Sequence, residues 1–200
     1  MNAFERAGRS SGEERPRVVA VSGSRREGSY TRLALKEALS GVEAVGGTAE
    51  VLDLSDVDLP TLDPDVDAAK GGDTVRRTIR EADAVILGTP TYHGSYSGVV
   101  KNALDYCGFD EFENTTIGLL AVSGGPFPAP ALDHLRAVCR SLRAWVLPYQ
   151  AAIPRARTAF NDAGFVDEDL RERARTLGVR TVEYASIEPV GARALQFQEV

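Results

Sequence analysis

The chain is poor in the residues that mark special environments. Its 200 residues include two cysteines, one methionine, one tryptophan and, among 23 basic side chains, only Lys36, Lys70 and Lys101 as lysines. Cys107 and Cys139 lie 32 positions apart with no second pair, which excludes a cysteine metal site or a dithiol redox motif. The apolar neighbours of Cys139 point to a buried thiol. No run approaches the roughly 20 apolar residues of a membrane span. Met1 to Pro16 is polar and mixed in charge, without the apolar stretch of a signal peptide. Residues 1–16 are expected to form a frayed arm, and a cytoplasmic location is the expectation. A basic excess is missing too. The formal net charge of −6 carries no footprint of a nucleic-acid binder.

What remains is ordinary for one globular domain. The chain is 43% hydrophobic and 26% charged, at a length that sustains a single core. That domain is assigned to residues 17–185. The tail, 186–200, matches no usable pattern.

Short apolar runs alternate with helical spacing. Arg17-Val-Val-Ala-Val-Ser22, Ala84-Val-Ile-Leu-Gly-Thr89 and Thr116 to Val122 read as strands buried on both faces. Ala49 to Leu54 and a run opening at Trp145 read as two more. Leu35, Leu39, Val42 and Val45 recur at helical spacing until Gly46-Gly47 stops them. Helices are also predicted over 74–81, from Ser97 as N-cap to about Cys107, through Leu132 to Leu142, and through Leu170, Ala174 and Leu177. Residues 55–72, rich in Asp, Pro and Gly, read as a loop. This alternation predicts a doubly wound parallel sheet of five strands with helices on both faces. Such a sheet has a crevice beside its strand C-termini, and polar, Gly-rich loops follow the first, third and fourth strands.

The first of these loops is Gly23-Ser-Arg-Arg-Glu-Gly-Ser-Tyr-Thr31. It leads into a helix N-terminus, where unpaired N–H groups and partial positive charge suit a phosphate. Ser24, Ser29 and Thr31 add hydroxyls, and Arg25 or Arg26 supplies a guanidinium fork. A nucleoside-triphosphate loop is excluded, because Ser29 stands where its lysine must be. The Gly-x-Gly-x-x-Gly dinucleotide pattern is also missing, and Asp53 reads as a surface turn residue. By itself the segment fits an ordinary capped βα loop as well as a phosphate site.

Gly23-Ser24-x-Arg26-x-x-Ser29-Tyr30-Thr31 resembles the Gly-Ser-x-Arg-x-x-Ser-x-Asn loop of the NADPH-dependent FMN reductase family, which includes flavin, quinone, chromate and azo-dye reductases. The resemblance implies that Ser24, Arg26, Ser29 and Thr31 hold the phosphate of flavin mononucleotide (FMN) and that Tyr30 is among the cofactor-binding residues. Thr31 departs from the family's asparagine. The segment from Thr89-Pro90-Thr91-Tyr92-His93-Gly94 to Lys101-Asn102 and Asp105 resembles the family's second signature, which implies that Pro90, Thr91, Tyr92, His93 and Gly94 line the flavin ring. The Ser123-Gly124-Gly125 turn matches the family's contact at the pyrimidine end of the ring, where glycines let backbone N–H groups approach closely. His93 is not expected to act as a general acid. Lys101 and Asp105, at i and i+4, read as a surface ion pair.

The resemblance runs from about Val18 to Leu147 and implies a three-layer α/β/α, flavodoxin-like sheet in order 2-1-3-4-5. It implies an FMN-dependent NAD(P)H oxidoreductase that takes hydride from NADPH or NADH and passes electrons to a small acceptor: free flavin, quinone, azo compound or metal oxyanion. The cofactor carries that chemistry, so no catalytic acid, base or nucleophile and no metal is expected from the chain. A homodimer or homotetramer is implied. Two other readings share the fold: an FMN electron carrier reduced by a partner protein, and a flavin-free interaction module.

Overall fold

The three runs that read as continuously apolar occupy the centre of the sheet. The computed structural model, which describes residues 15–66 and 70–185, places β1 (Arg17–Ser22), β3 (Ala84–Pro90) and β4 (Thr116–Val122) side by side, buried almost throughout. β2 (Thr48–Asp53) and β5 (Trp145–Ile153) are the edges and mix exposed with buried positions. The pairs are all parallel, as the alternation predicts, and the order is β2-β1-β3-β4-β5, as the resemblance implies. Covering both faces is what makes the central strands apolar on both sides. The C-terminal tail and residues 1–14 of the expected arm lie outside the described residues. Pro16 already joins the sheet, since its carbonyl accepts from the Thr48 N–H.

One face carries α1 (Tyr30–Ala44) and the last long helix, α7 (Glu168–Glu183). They approach closely because two glycines leave room. A Cβ on Gly41 would sit 2.1 Å from the Arg175 carbonyl oxygen, and one on Gly178 would sit 1.8 Å from that of Ala38. The other face carries α2 (Lys70–Arg80), α3 (Gly98–Asp105) and α5 (Ala129–Ser141). The short helix α4 (Phe109–Phe112) buries Phe112 completely.

Besides the unforeseen α4, three features depart from the sequence reading. The expected loop over 55–72 ends early, because α2 starts at Lys70. Gly71 and Gly72 serve packing there: an added Cβ would lie 2.1 Å from the Asp58 carbonyl oxygen at one and 2.4 Å from the Tyr106 ring at the other. Arg77 and Arg80 near the end of α2 suit its dipole. Secondly, β5 runs past Pro148 to Ile153. An edge strand tolerates a proline at an irregularity, and the register shifts there, with Ile117 facing Val146 and Leu119 facing Gln150. Arg136 donates to the Leu147 carbonyl at 3.0 Å and to Gln150 Oε1 at 2.9 Å, satisfying an acceptor at the break. Thirdly, a turn of helix, α6 (Ala156–Ala159), and a small antiparallel pair, β6 (Phe160–Asn161) and β7 (Gly164–Phe165), precede α7.

Candidate functional site

The loops after β1, β3 and β4 meet at the carboxyl edge and are bonded to one another. Gly23 N–H donates to the Gly88 carbonyl at 2.8 Å. Ser97 Oγ donates to the Gly23 carbonyl at 2.7 Å while accepting from Val100 N–H as the N-cap of α3. The Ser97 N–H donates to Thr89 Oγ1 at 2.9 Å. Thr91 N–H donates to the Val122 carbonyl, and Ser123 N–H to that of Ile153. Gly23 has to be glycine, since a Cβ would sit 1.9 Å from Val100 Cγ2. Ser97 and Thr89 are thus site-building residues that the sequence reading left out. Ser97 was legible as a cap, but its bond to Gly23 spans 74 positions and leaves no local signal.

In the first loop Ser24, Ser29 and Thr31 are buried. Ser29 caps α1 by accepting from Arg32 N–H, and its carbonyl takes the Leu33 N–H. The N–H groups of Tyr30 and Thr31 therefore precede the first intrahelical bond and are left without an intrahelical partner. The exposed Arg26 guanidinium lies 5.8 Å from the Tyr30 ring centroid. That ring stacks on Phe160 at 5.2 Å, and Phe160 packs on Phe165 at 4.1 Å. The unforeseen hairpin is thus the back wall of the loop. Asp53 corrects the surface reading: it is buried, accepts from the Ser55 N–H and hydroxyl, and lies 3.0 Å from Arg32 Nε. The pair is an ion pair by distance, though Nε is not aligned for a hydrogen bond. Arg32 Nη2 also donates to the Arg26 carbonyl at 2.8 Å, so β2 braces the loop through Arg32.

In the third-strand loop, Pro90 and Thr91 are half-buried, whereas Tyr92, His93 and Gly94 are exposed. Tyr92 and Ser95 exchange backbone hydrogen bonds at 2.9 and 3.0 Å. His93 and Gly94 take φ of 50° and 79°, the left-handed pair of a tight hairpin turn. His134 on α5 ties the turn down, with Nδ1 2.9 Å from Ser95 Oγ and its ring edge-on to Tyr96. Thr91 Oγ1 is buried without a hydrogen-bond partner among the described residues. At the fourth strand Ser123 is buried and its Oγ accepts from Gly125 N–H, while Gly124 and Gly125 are exposed. A Cβ on Gly124 would meet no atom within 4 Å. Lys101 and Asp105 form the expected ion pair at 2.5 Å. No group of three or more metal-ligating side chains occurs among the described residues. The residues present fit a planar ligand with a phosphate tail: donors and a cation at one end, an orphaned hydroxyl and an open glycine turn at the other.

This sheet order and edge define a flavodoxin-like α/β fold. Residues 16–158 match the family model for NADPH-dependent FMN reductase. An FMN-dependent NADPH-azoreductase of Staphylococcus aureus (strain USA300) is 33% identical over 180 residues, which cover 86% of this chain and 96% of the relative. Solved structures share the fold. An oxidoreductase from Corynebacterium diphtheriae has a TM-score of 0.72 at 19% identity, over 88% of this chain and all of the other. An NAD(P)H:(acceptor) oxidoreductase from Paracoccus denitrificans has a TM-score of 0.70 at 23% identity, over 85% and 97%. The chain belongs to the NADPH-dependent FMN reductase family. It is an oxidoreductase that uses FMN and NADPH.

Proposed function

We propose that the three loops hold FMN as a bound cofactor and that the chain reduces small aromatic acceptors, azo compounds among them. The observation that carries the site assignment is the bonding of the loops into one unit at the sheet edge, with the Tyr30 and Thr31 N–H groups uncommitted and the Arg26 guanidinium near the Tyr30 ring. Ser24, Ser29 and Thr31, with those N–H groups, neutralise and orient the phosphate, and Arg26 adds a charge-assisted contact. Pro90 to Gly94 wall the ring, with Tyr92 at its rim. Thr91 Oγ1 offers its hydroxyl, and the Gly124 N–H, the donor of the Ser123-Gly124-Gly125 turn not taken up by Ile153 or Ser123, serves the end where negative charge gathers on reduction. When bound, the flavin accepts hydride and returns electrons to the acceptor. The azo class is supported by the Staphylococcus aureus relative, which matches along nearly its whole length.

The homo-oligomer implied by the resemblance is supported by Phe127, three-quarters exposed next to the Gly124-Gly125 turn. Light scattering reads its stoichiometry. The cytoplasmic location expected from the sequence suits an enzyme that draws on NADPH.

Purified protein is expected to carry flavin absorbance and to oxidise NADPH in the presence of an azo dye or quinone with no partner protein. Turnover only with an added reductase would favour the carrier reading. Arg26→Ala with Ser29→Ala is expected to release FMN while leaving the far-UV circular dichroism unchanged. Retention of FMN by that double variant moves the phosphate site elsewhere.

A further inference from the structure

Against the first loop, on the face that carries α2 and α3, lies a cavity of about 230 Å³ lined in part by Arg25, Leu54, Leu59, Thr61, Gly98 and Val99. None of the residues assigned to FMN lines it. Arg25, however, stands between Ser24 and Arg26, so the cavity and the phosphate loop share a wall. The outer wall is fixed: Asn102 Nδ2 donates to the Pro60 carbonyl at 2.7 Å, and its Oδ1 accepts from Leu62 N–H at 2.9 Å.

The lining has two chemistries. Leu54, Leu59 and Val99 are apolar. Arg25 is exposed and has no ion pair or hydrogen bond among the described residues, while nearby Arg32 is taken up by Asp53. The N–H groups of Gly98 and Val99 also precede the first intrahelical bond of α3, because Ser97 takes Val100 N–H on its hydroxyl and Lys101 N–H on its carbonyl. A Cβ on Gly98 would meet nothing within 4 Å, so the space beside its Cα is open. An unpaired guanidinium and two free N–H groups beside an apolar wall suit a compact anion attached to a flat apolar body. The exposed Asp56 and Asp58 on the same loop repel an anion, so the attraction must come from Arg25 and the two N–H groups. The volume is below the roughly 300–1,000 Å³ of a whole-ligand pocket, so one end of a ligand fits. NADPH carries such an end, and NADH lacks its phosphate.

We infer that this cavity receives the adenosine 2′-phosphate of NADPH, with Arg25 opposite the phosphate and Leu54, Leu59 and Val99 against the adenine. The inference rests on the FMN assignment above, in that one loop then separates two phosphates, the flavin's on the Arg26 side and the nicotinamide nucleotide's on the Arg25 side.

Calorimetric titration with adenosine 2′-monophosphate and adenosine 5′-monophosphate, at saturating FMN, tests it. The wild type is expected to bind the 2′-isomer about tenfold more tightly. Arg25→Ala should abolish that difference and lower the NADPH-to-NADH ratio of kcat/KM about tenfold, with bound flavin retained. Arg180→Ala, near the end of α7, serves as the charge-matched control and should keep the difference. Equal binding of the two isomers by the wild type overturns the inference, as does a preference that survives in Arg25→Ala. Flavin lost from Arg25→Ala alone assigns Arg25 to FMN and also overturns it. Failure of the FMN assignment itself appears separately, as wild-type protein that binds no flavin, and the monophosphate titration is still read.

Discussion

Ser97 shows how much one side chain can organise. Its hydroxyl accepts from Val100 N–H at 3.3 Å and donates to the Gly23 carbonyl at 2.7 Å, in a site 2% exposed. Ser97→Ala leaves both of those backbone groups buried and less well satisfied. The loss of a cap costs about 1–2 kcal/mol, and the orphaned carbonyl adds to it. Urea denaturation of the flavin-free protein is expected to show that loss. Flavin fluorescence titration should show weaker FMN binding as well, because the first and third loops are no longer tied together. Ser97→Thr keeps the hydroxyl and is expected to restore part of both. An alanine variant with wild-type FMN affinity would mean that the loops hold their positions without this tie. The cap was legible, because a serine before an apolar helical stripe is a local pattern. The tie was not, because it joins residues that only the β1–β3 pairing brings together.

The helices were legible where their apolar stripe spans several turns, as in α1, α5 and α7. Elements of four residues or fewer were missed, because α4, α6 and the β6–β7 pair are too short for a period to show. α4 is held by a charge instead. Glu111 is 1% exposed and ion-paired with Arg76 and Arg80 of α2, and its Oε2 accepts from Gly108 N–H at 2.8 Å. Burial pushes its pKa up, but the Gly108 and Arg80 hydrogen bonds and the charges of Arg80 and Arg76 outweigh this and hold it below the usual range. A lowered folded pKa means that the stabilisation is complete above the unfolded value of about 4.3 and is lost as pH falls through the folded one. Glu111→Gln is expected to cost about 1.5–3 kcal/mol at pH 7, less than a fully buried pair because both arginines remain about a third exposed. The variant's stability should also fall less steeply than the wild type's below pH 5, as followed by urea midpoints. At the opposite face, Gly178→Ala drives a methyl into the Ala38 carbonyl and is expected to lose about 1–3 kcal/mol or more, read as a lowered Tm.

At the scale of the whole molecule, the two cysteines report on the opening of one core. Cys139 is fully buried in α5, and Cys107, just beyond α3, is half-buried. Both pKa values are pushed up to about 12. Burial is the main cause at each, with Glu111 adding at Cys107 and Arg136 pulling back at Cys139. At pH 8 only about one thiol in ten thousand is then ionised, and the thiolate is the reactive form. Alkylation of the native protein should therefore be slow at both sites and fast in denaturant. The labelling of Cys139 should proceed through global opening, since its helix packs on the same cluster as β3 and β4. A ligand that binds only the folded state slows such labelling by the factor 1 + [L]/Kd. FMN at one hundred times its Kd is thus expected to slow Cys139 modification about a hundredfold, and that factor should collapse in the Arg26→Ala, Ser29→Ala double variant. Mass spectrometry of the alkylated peptides gives both rates. A Cys139 rate indifferent to FMN would show that α5 opens without the sheet edge, and the loops and the core would then be separate cooperative units.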